Sequence, residues 1–411
     1  MVEPTSAHSE RLTRRRFLTS SAALAAGLAA PVPRTGVAGA QGSRRVGPLL
    51  IGRAKRTSPI RTIVVSCQEN HSFDHYFGSF PKLPAGFGIP NGWTNSGIKP
   101  FHFASPNEGG ADPYHDWTAT HQAYAGGRMT GFVSNGSGRS AMGYYTAADI
   151  PYYYSLARKY TLCAEYFCGA LTETLPNRMV LYAGTSGGIT DNAAPQNGTL
   201  TWPNIITLLQ RAGITYANYN FHCPTDYSYL ALWKNAYRQP RMNQSSAQFF
   251  AACRHGRLPQ VVFIEKQSPW DEHPPFNIHT GETMMEQIFR ALEASPQWAH
   301  TAILHTYDEG GGFFDHRRPV EIDAFGSGIR VPMIIASPLA RRGHVDTTYS
   351  DHASVLKFIE HVFGLPTLAS INHRFDKGTP ASAGQGGGRP FPPRDGSARI
   401  SDLTRCFSVA V

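Results

Sequence analysis

Short apolar segments rich in β-branched residues alternate along this chain with segments of helical periodicity. The predicted strands are 62–66, 214–219, 261–265, 301–306 and 331–336. The predicted helices are 205–209, 282–293 and 353–362. This alternation predicts an α/β fold with a mostly parallel central sheet, because parallel strands need helical crossovers that cover both faces of the sheet. Ligands of such folds bind beyond the carboxyl ends of the strands.

The first 40 residues have the features of an export signal. Thr13–Leu18 (TRRRFL) matches the twin-arginine pattern, a small-residue apolar run follows over Ser20–Ala30, and Ala38–Ala40 has the form of a cleavage site. The apolar run is shorter than the roughly 20 residues that a membrane span needs. We therefore expect a twin-arginine signal at 1–40 that engages the twin-arginine translocon, with export to the periplasm, the cell wall or the medium.

The net charge of +9 is concentrated near the N-terminus. Eleven of the 38 basic residues and two of the 29 acidic residues precede residue 62, which leaves 27 of each in the rest of the chain. A balanced body offers no basic surface, so we expect no nucleic-acid partner. We interpret 41–60 as a basic linker with at most peripheral membrane contact. The remainder, 61–411, is the expected folded domain, with a cap or insertion at 78–150.

Polar residues directly follow two of the predicted strands. Glu69 and Asn70 follow the first strand, and Asp308 and Glu309 follow strand 301–306. Carboxylate and amide oxygens suit a hard cation, and the two pairs would converge if their strands are neighbours. The alternatives are a helix cap for the first pair and a flexible acidic turn for the second.

Thr174 precedes a helical segment at 179–183, with Pro176 in its first turn. The N–H groups and the partial positive charge of a helix N-terminus favour phosphate and lower the pKa of a nearby hydroxyl. Thr174 is therefore either a helix cap or a nucleophile.

Three of the 17 histidines lie in polar segments: His115, His222 and His273. An imidazolium near a phosphoryl group stabilises its charge or protonates a leaving oxygen. The alternative for each histidine is an ordinary polar residue with no part in chemistry.

Four motifs together resemble the bacterial phosphoesterase family that contains phospholipases C and respiratory-burst-inhibiting acid phosphatases. They are Glu69–Gly78 (ENHSFDHYFG), Thr174–Arg178 (TLPNR), Glu272–Pro274 (EHP) and Tyr307–His316 (YDEGGGFFDH). The resemblance implies a three-layer α/β/α sandwich like that of alkaline phosphatase. It also implies one divalent metal ion, with calcium, magnesium, manganese and zinc all open, held by Glu69, Asn70, Thr174, Asp308 and Glu309.

In this resemblance Thr174 would attack phosphorus and form a phosphothreonine intermediate. Phosphate oxygens or the leaving group would be served by His115, His222 and His273. The favoured activity is a phospholipase C acting on phosphatidylcholine-like lipids, which yields diacylglycerol and a phosphorylated headgroup. One alternative is a broad-specificity acid phosphatase with the same site, and another is an inactive periplasmic binding protein of the same fold.

Overall fold

An eight-stranded sheet forms the centre of the computed structural model, which describes residues 58–323, 325–371 and 392–411. The strands are β1 (Thr62–Gln68), β2 (Phe101–His102), β3 (Gly143–Tyr144), β4 (Thr161–Cys163), β5 (Tyr166–Phe167), β6 (Tyr216–Phe221), β7 (Gln244–Ser245), β8 (Val261–Lys266), β9 (Thr301–Tyr307), β10 (Met333–Ala336), β11 (His344–Asp346) and β12 (Ser350–Asp351). The central sheet has the order β11-β4-β10-β9-β1-β8-β6-β7. Its neighbouring strands are parallel except in the two pairs that β10 makes. The predicted mostly parallel sheet is confirmed.

The helices of the described residues are α1 (Phe73–Phe77), α2 (Trp117–Tyr124), α3 (Pro151–Lys159), α4 (Thr174–Ala183), α5 (Ile205–Ala212), α6 (Ser246–Arg254), α7 (Ile278–Glu293), α8 (His352–Phe363) and α9 (Leu368–Ile371). The three helices predicted from periodicity are confirmed as α5, α7 and α8. Helix α7 begins four residues before its predicted start, because Asn277 caps it by accepting a hydrogen bond from the backbone N–H of His279.

Two predicted strands begin later in the structure, and local backbone chemistry explains both shifts. The strand predicted at 214–219 corresponds to β6. It begins at Tyr216, because the backbone N–H of Ile214 still donates to the carbonyl of Leu209 at 2.9 Å and so completes the end of α5. The strand predicted at 331–336 is β10. It begins at Met333, because Pro332 has no N–H for the ladder.

Helices pack on both faces of the central sheet. Ser66 of β1 faces α7, where the sulfur of Met285 lies 3.5 Å from the serine hydroxyl oxygen. Phe263 of β8 is the register partner of Val65, the residue before Ser66, so its side chain points to the opposite face. There its ring meets the ring of Tyr182 in α4 edge-on. The predicted three-layer α/β/α arrangement is confirmed.

The segment 78–150 contains α2, β2, β3 and three short 3₁₀ helices, joined by loops. Its apolar side chains, including Phe132 and Met142, share a small buried cluster with Phe314, which lies in the loop after β9. The backbone N–H of Phe314 also donates to the carbonyl of Ala141 at 2.9 Å. The segment is thus held against the loop that leaves the carboxyl end of β9.

All described residues belong to one unit, Arg53–Val411. The predicted signal at 1–40 and nearly all of the predicted linker at 41–60 lie outside the described residues. Within the described part of the chain, no helix combines the length and apolar character needed to cross a membrane.

Candidate active site

The two polar clusters predicted from the sequence meet at one edge of the sheet. Strands β1 and β9 pair in parallel up to Gln68 and Tyr307, so the residues that follow them leave the sheet side by side. The backbone N–H of Asn70 donates to Asp308 Oδ1 at 3.1 Å. The backbone N–H of Asp308 in turn donates to the carbonyl of Gln68 at 3.1 Å.

The close approach of these two segments depends on a glycine. Asn70 turns the chain with a φ of 69°, a left-handed conformation that asparagine tolerates. Gly311, with a φ of 61°, faces it so closely that a Cβ at this position would lie 2.0 Å from the carbonyl oxygen of Asn70. A side chain at position 311 would therefore force the two clusters apart.

Arg178 connects helix α4 to both clusters. Its Nε donates to Asp308 Oδ2 and its Nη1 to Glu265 Oε2, both at 3.3 Å, and its Nη2 lies 3.7 Å from Glu69 Oε1. The guanidinium is fully buried, so it offsets carboxylate charges that burial would otherwise disfavour. Thr174 lies four residues earlier on the same helix, hence on the helix face that Arg178 presents to the strand ends.

The first turn of α4 removes one of the two roles considered for Thr174. The cap position belongs to Glu173, and Thr174 is the first residue of the helix proper, 5% exposed. The carboxylate of Glu173 accepts a hydrogen bond from the backbone N–H of Asn192 at 2.5 Å. The side-chain oxygen of Asn192 accepts one from the N–H of Leu175 at 2.8 Å. Thr174 is therefore not the helix cap.

His115, from the segment 78–150, lies next to the two polar clusters that follow β1 and β9. Its Nε2 lies 3.3 Å from Asn70 Nδ2 and 3.7 Å from Glu309 Oε1. Burial alone would lower the pKa of His115. The carboxylates of Glu309 and Asp112 and the carbonyl of Pro113 outweigh burial and raise this pKa to about 9.

The oxygen atoms of this cluster fit a divalent metal ion. Asn70 Oδ1 and Glu309 Oε1 are buried and form no hydrogen bond with the described residues. Burial raises the pKa of Glu309 to about 8, with His115 opposing the shift and Asp308 adding to it. Buried oxygens without hydrogen bonds are costly unless a proton or a cation satisfies them, and a hard cation prefers such ligands.

The other two predicted histidines lie in different places. The ring centroid of His273 is 6.0 Å from that of His115, and both histidines have ligand atoms within 4.8 Å of one another and of Asp112. His222 is exposed at the end of β6 and stacks on Trp270 at 3.9 Å between centroids. Trp270 lies in the loop after β8 that also carries His273, and His222 supplies no ligand atom to the group of Asp112, His115 and His273.

Sequence reasoning missed the residue that fixes the loop carrying His273. Glu272 is fully buried, and its carboxylate accepts hydrogen bonds from four side chains: Gln68 and Tyr307 at 2.7 Å, Tyr76 at 3.0 Å, and Tyr153. The EHP motif marks Glu272 in the sequence, but its partners are spread over four distant elements. Their role becomes visible only once the sheet is assembled.

Comparisons with known proteins show which family the chain belongs to. The chain matches the phosphoesterase family over residues 60–366. It belongs to that family. This phosphoesterase is 31% identical over 377 residues to a non-hemolytic phospholipase C of Pseudomonas aeruginosa, covering 74% of this chain and 54% of that protein. It is 31% identical over 385 residues to phospholipase C A of Mycobacterium tuberculosis, covering 75% of this chain and 73% of that protein.

The phosphoesterase spans just over half the length of the two non-hemolytic phospholipases C that it matches, from Pseudomonas aeruginosa and Burkholderia pseudomallei. Among solved structures, a protein of the alkaline phosphatase superfamily from Vibrio parahaemolyticus is similar at a TM-score of 0.41 and 10% identity. That similarity covers 74% of this chain and 66% of the other chain.

Proposed function

We propose that this phosphoesterase is an exported, metal-dependent phospholipase C that cleaves phosphatidylcholine-like lipids. The observation that carries this choice is the position of two aromatic side chains. Among the described residues, the exposed large apolar side chains are Tyr114, Phe276 and Val409, at 54%, 44% and 44% exposure. Tyr114 directly precedes His115, and the backbone N–H of Phe276 donates to the carbonyl of His273 at 3.0 Å.

Each of these two aromatic residues is thus a near neighbour, along the backbone, of one histidine of the pair. Exposed aromatic rings are costly in water but well placed at a lipid–water interface, where an apolar ring can enter the lipid. A soluble phosphomonoester would make no use of them. The relatives named phospholipase C are a second, independent support.

In the proposed reaction Thr174 is the nucleophile. Its Oγ forms a bond to phosphorus, the bond between phosphorus and the diacylglycerol oxygen breaks, and that oxygen takes up a proton. Water then cleaves the phosphothreonine, which releases the phosphorylated headgroup and restores the hydroxyl. A divalent ion held by Glu69, Asn70, Thr174, Asp308 and Glu309 would lower the pKa of the hydroxyl and offset charge on the phosphoryl oxygens.

His115 and His273 would supply positive charge and a proton in this reaction. The Nδ1 of each ring contacts a backbone carbonyl, that of Pro113 at 2.7 Å and that of Pro274 at 2.5 Å. Because a carbonyl only accepts, Nδ1 carries a hydrogen in each ring, and Nε2 is the nitrogen that can serve the substrate. Each Nε2 would bind a phosphoryl oxygen or protonate the departing diacylglycerol.

The test compares a lipid with a soluble substrate. Purified mature protein is given phosphatidylcholine vesicles or a soluble phosphomonoester, and diacylglycerol, phosphocholine and inorganic phosphate are measured. We expect diacylglycerol and phosphocholine in equal amounts. Strong phosphomonoester hydrolysis without diacylglycerol would instead favour the acid phosphatase, and the absence of both activities would favour a binding protein.

A double variant tests the aromatic pair itself. Tyr114→Ser with Phe276→Ser should lower vesicle hydrolysis by about tenfold, because two rings no longer enter the lipid. Hydrolysis of a soluble short-chain phosphodiester should stay unchanged. Val409→Ser is the matched control, since Val409 is equally exposed in a different part of the chain. Equal losses on both substrates would contradict the proposed role of the two rings.

A further inference from the structure

Three buried side chains, His71, His75 and Glu108, form a cluster that the proposed reaction does not use. Their relative exposures are 0%, 0% and 1%, and each contributes a ligand atom that lies within 4.8 Å of the other two. His71 Nδ1, His75 Nε2 and Glu108 Oε2 are all buried and form no hydrogen bond with the described residues. Nearly all buried polar atoms in proteins have a partner, so three such atoms at one point call for a ligand.

The second nitrogen of each histidine ring is already occupied. His71 Nε2 lies 2.9 Å from the carbonyl oxygen of Glu272, and His75 Nδ1 lies 2.9 Å from that of Gly143. These carbonyls accept, so both nitrogens carry hydrogen, and in the neutral rings His71 Nδ1 and His75 Nε2 carry lone pairs. Metal-binding histidines are oriented in this way, with the distal N–H held by a backbone carbonyl or a carboxylate.

The carboxylate of Glu108 is arranged in a similar manner. Its Oε1 accepts a hydrogen bond from the hydroxyl of Tyr145 at 3.1 Å, which leaves Oε2 for the cluster. The charged side chains that act most on Glu108 are two other carboxylates, Glu272 and Asp112, so they offer it no compensation. A buried carboxylate in this setting needs a proton or a cation.

The surroundings of the cluster are apolar and aromatic. The ring of His75 stacks on Phe313 at 3.9 Å between centroids and meets the edge of Phe103 at 5.9 Å. The ring of His71 stacks on Tyr76 at 4.3 Å. Such a shell separates the cluster from bulk solvent and favours an ion that is held in place rather than exchanged during turnover.

We propose that His71 Nδ1, His75 Nε2 and Glu108 Oε2 bind a buried zinc ion, whose fourth position would be taken by one water molecule. Two imidazole nitrogens and a carboxylate oxygen are ligands that zinc accepts, and they differ from the all-oxygen set at the strand ends. Zinc bonds of about 2.0–2.2 Å place ligand atoms roughly 3.4 Å apart. The ligand atoms lie within 4.8 Å of one another and the two imidazole rings are stacked at an angle of 5°, so binding the ion requires the rings to tilt toward each other. The ion would tie the loop after β1 to the segment 78–150, which also carries His115.

A protonated Glu108 that donates to one imidazole is the competing explanation of this geometry. The variant Glu108→Gln distinguishes the zinc site from a protonated Glu108. Glutamine keeps the shape of the side chain and supplies an N–H donor, but it is a poor zinc ligand. A proton-bridged cluster would tolerate this change. A zinc site would lose its metal.

The experiment measures zinc in the purified full chain after loading with zinc sulfate and gel filtration. We expect Glu108→Gln to contain one zinc fewer per chain than the wild type. Glu282→Gln is the matched control, because Glu282 is also a buried carboxylate but lies outside the cluster, and it should bind the wild-type amount. Equal zinc content in wild type and Glu108→Gln would overturn the proposal.

A second measurement reports the zinc ligands directly. X-ray absorption at the zinc edge of His115→Ala, which lacks the competing group of Asp112, His115 and His273, should show scattering from imidazole rings, which the oxygen ligands at the strand ends cannot produce. A spectrum with oxygen neighbours alone would overturn the proposal. Neither measurement uses activity, so failure of the zinc site and failure of the proposed phospholipase activity remain distinguishable.

Discussion

At the scale of single residues, Thr174 carries the sharpest prediction. Thr174→Ala removes the proposed nucleophile and should lower kcat on phosphatidylcholine by roughly 10³-fold or more. Thr174→Ser keeps a hydroxyl at the same helix position and should retain most of the rate. Phosphocholine release under saturating lipid measures both, with circular dichroism to check folding. Full activity in Thr174→Ala would show that another group attacks phosphorus.

Arg178 is the residue whose loss should cost most stability near the site. Arg178→Met leaves the buried carboxylates of Glu265 and Asp308 without the positive charge of the guanidinium, which lowers the free energy of unfolding by about 3–5 kcal/mol. Arg178→Lys keeps the charge but loses the planar fork, so we expect a smaller loss. Urea unfolding measures both variants. An unfolding midpoint for Arg178→Met equal to that of the wild type would contradict the role assigned to this arginine.

Much of the candidate site could be predicted from the sequence, and the remainder depends on contacts that no local pattern encodes. Acidic residues after strands are visible as a motif, and the adjacency of β1 and β9 then brings them together. The grouping of His115 with His273 depends on how the segment 78–150 packs against the loop after β8, and no local pattern encodes that contact. Periodicity predicts that strands exist but does not give their order in the sheet.

At the scale of elements, the contact between α7 and α3 makes stability depend on pH. Glu282 of α7 accepts hydrogen bonds from the backbone N–H groups of Tyr152 and Tyr153 at 2.8 and 3.1 Å. Burial raises the pKa of Glu282 from its ordinary value of 4.5 to about 7. Between these values the folded protein keeps a proton that the unfolded chain has released, so stability falls as pH rises through this window.

Glu282→Gln should remove this dependence, because an amide does not titrate and its oxygen can still accept both hydrogen bonds. As pH rises from 4.5 to about 7, the free energy of unfolding of the wild type should fall relative to that of the variant. Urea unfolding of both proteins at several pH values across this range measures the difference. Parallel pH profiles would count against a buried, protonated Glu282.

Element boundaries were harder to predict than the elements themselves. The extension of α7 to Ile278 and the late start of β6 at Tyr216 both come from capping at helix ends. A cap depends on one side chain or one backbone turn, whereas a helix or strand interior repeats its pattern over many residues. The repeating pattern inside a helix or strand therefore predicts whether the element is a helix or a strand more securely than it predicts the residue at which the element ends.

At the scale of the whole molecule, the export signal predicted from the sequence at 1–40 gives a prediction about where the protein works. Replacing Arg14 and Arg15 together by lysine should stop export, because the twin-arginine pathway recognises the arginine pair and not charge alone. Cell fractionation followed by immunoblotting measures the distribution, and the variant should stay in the cytoplasm. An unchanged distribution would show that the chain leaves by another route or is not exported.

The loop that carries Glu272 is fixed at its buried end and exposed at the other. Side chains of β1, α1, α3 and β9 donate hydrogen bonds to that buried carboxylate. Phe276, four residues later in the same loop, is exposed. A substitution at Phe276 should therefore change how the protein meets a lipid surface while the buried hydrogen bonds keep the loop in place. A protein engineer can vary this exposed position at little risk to folding.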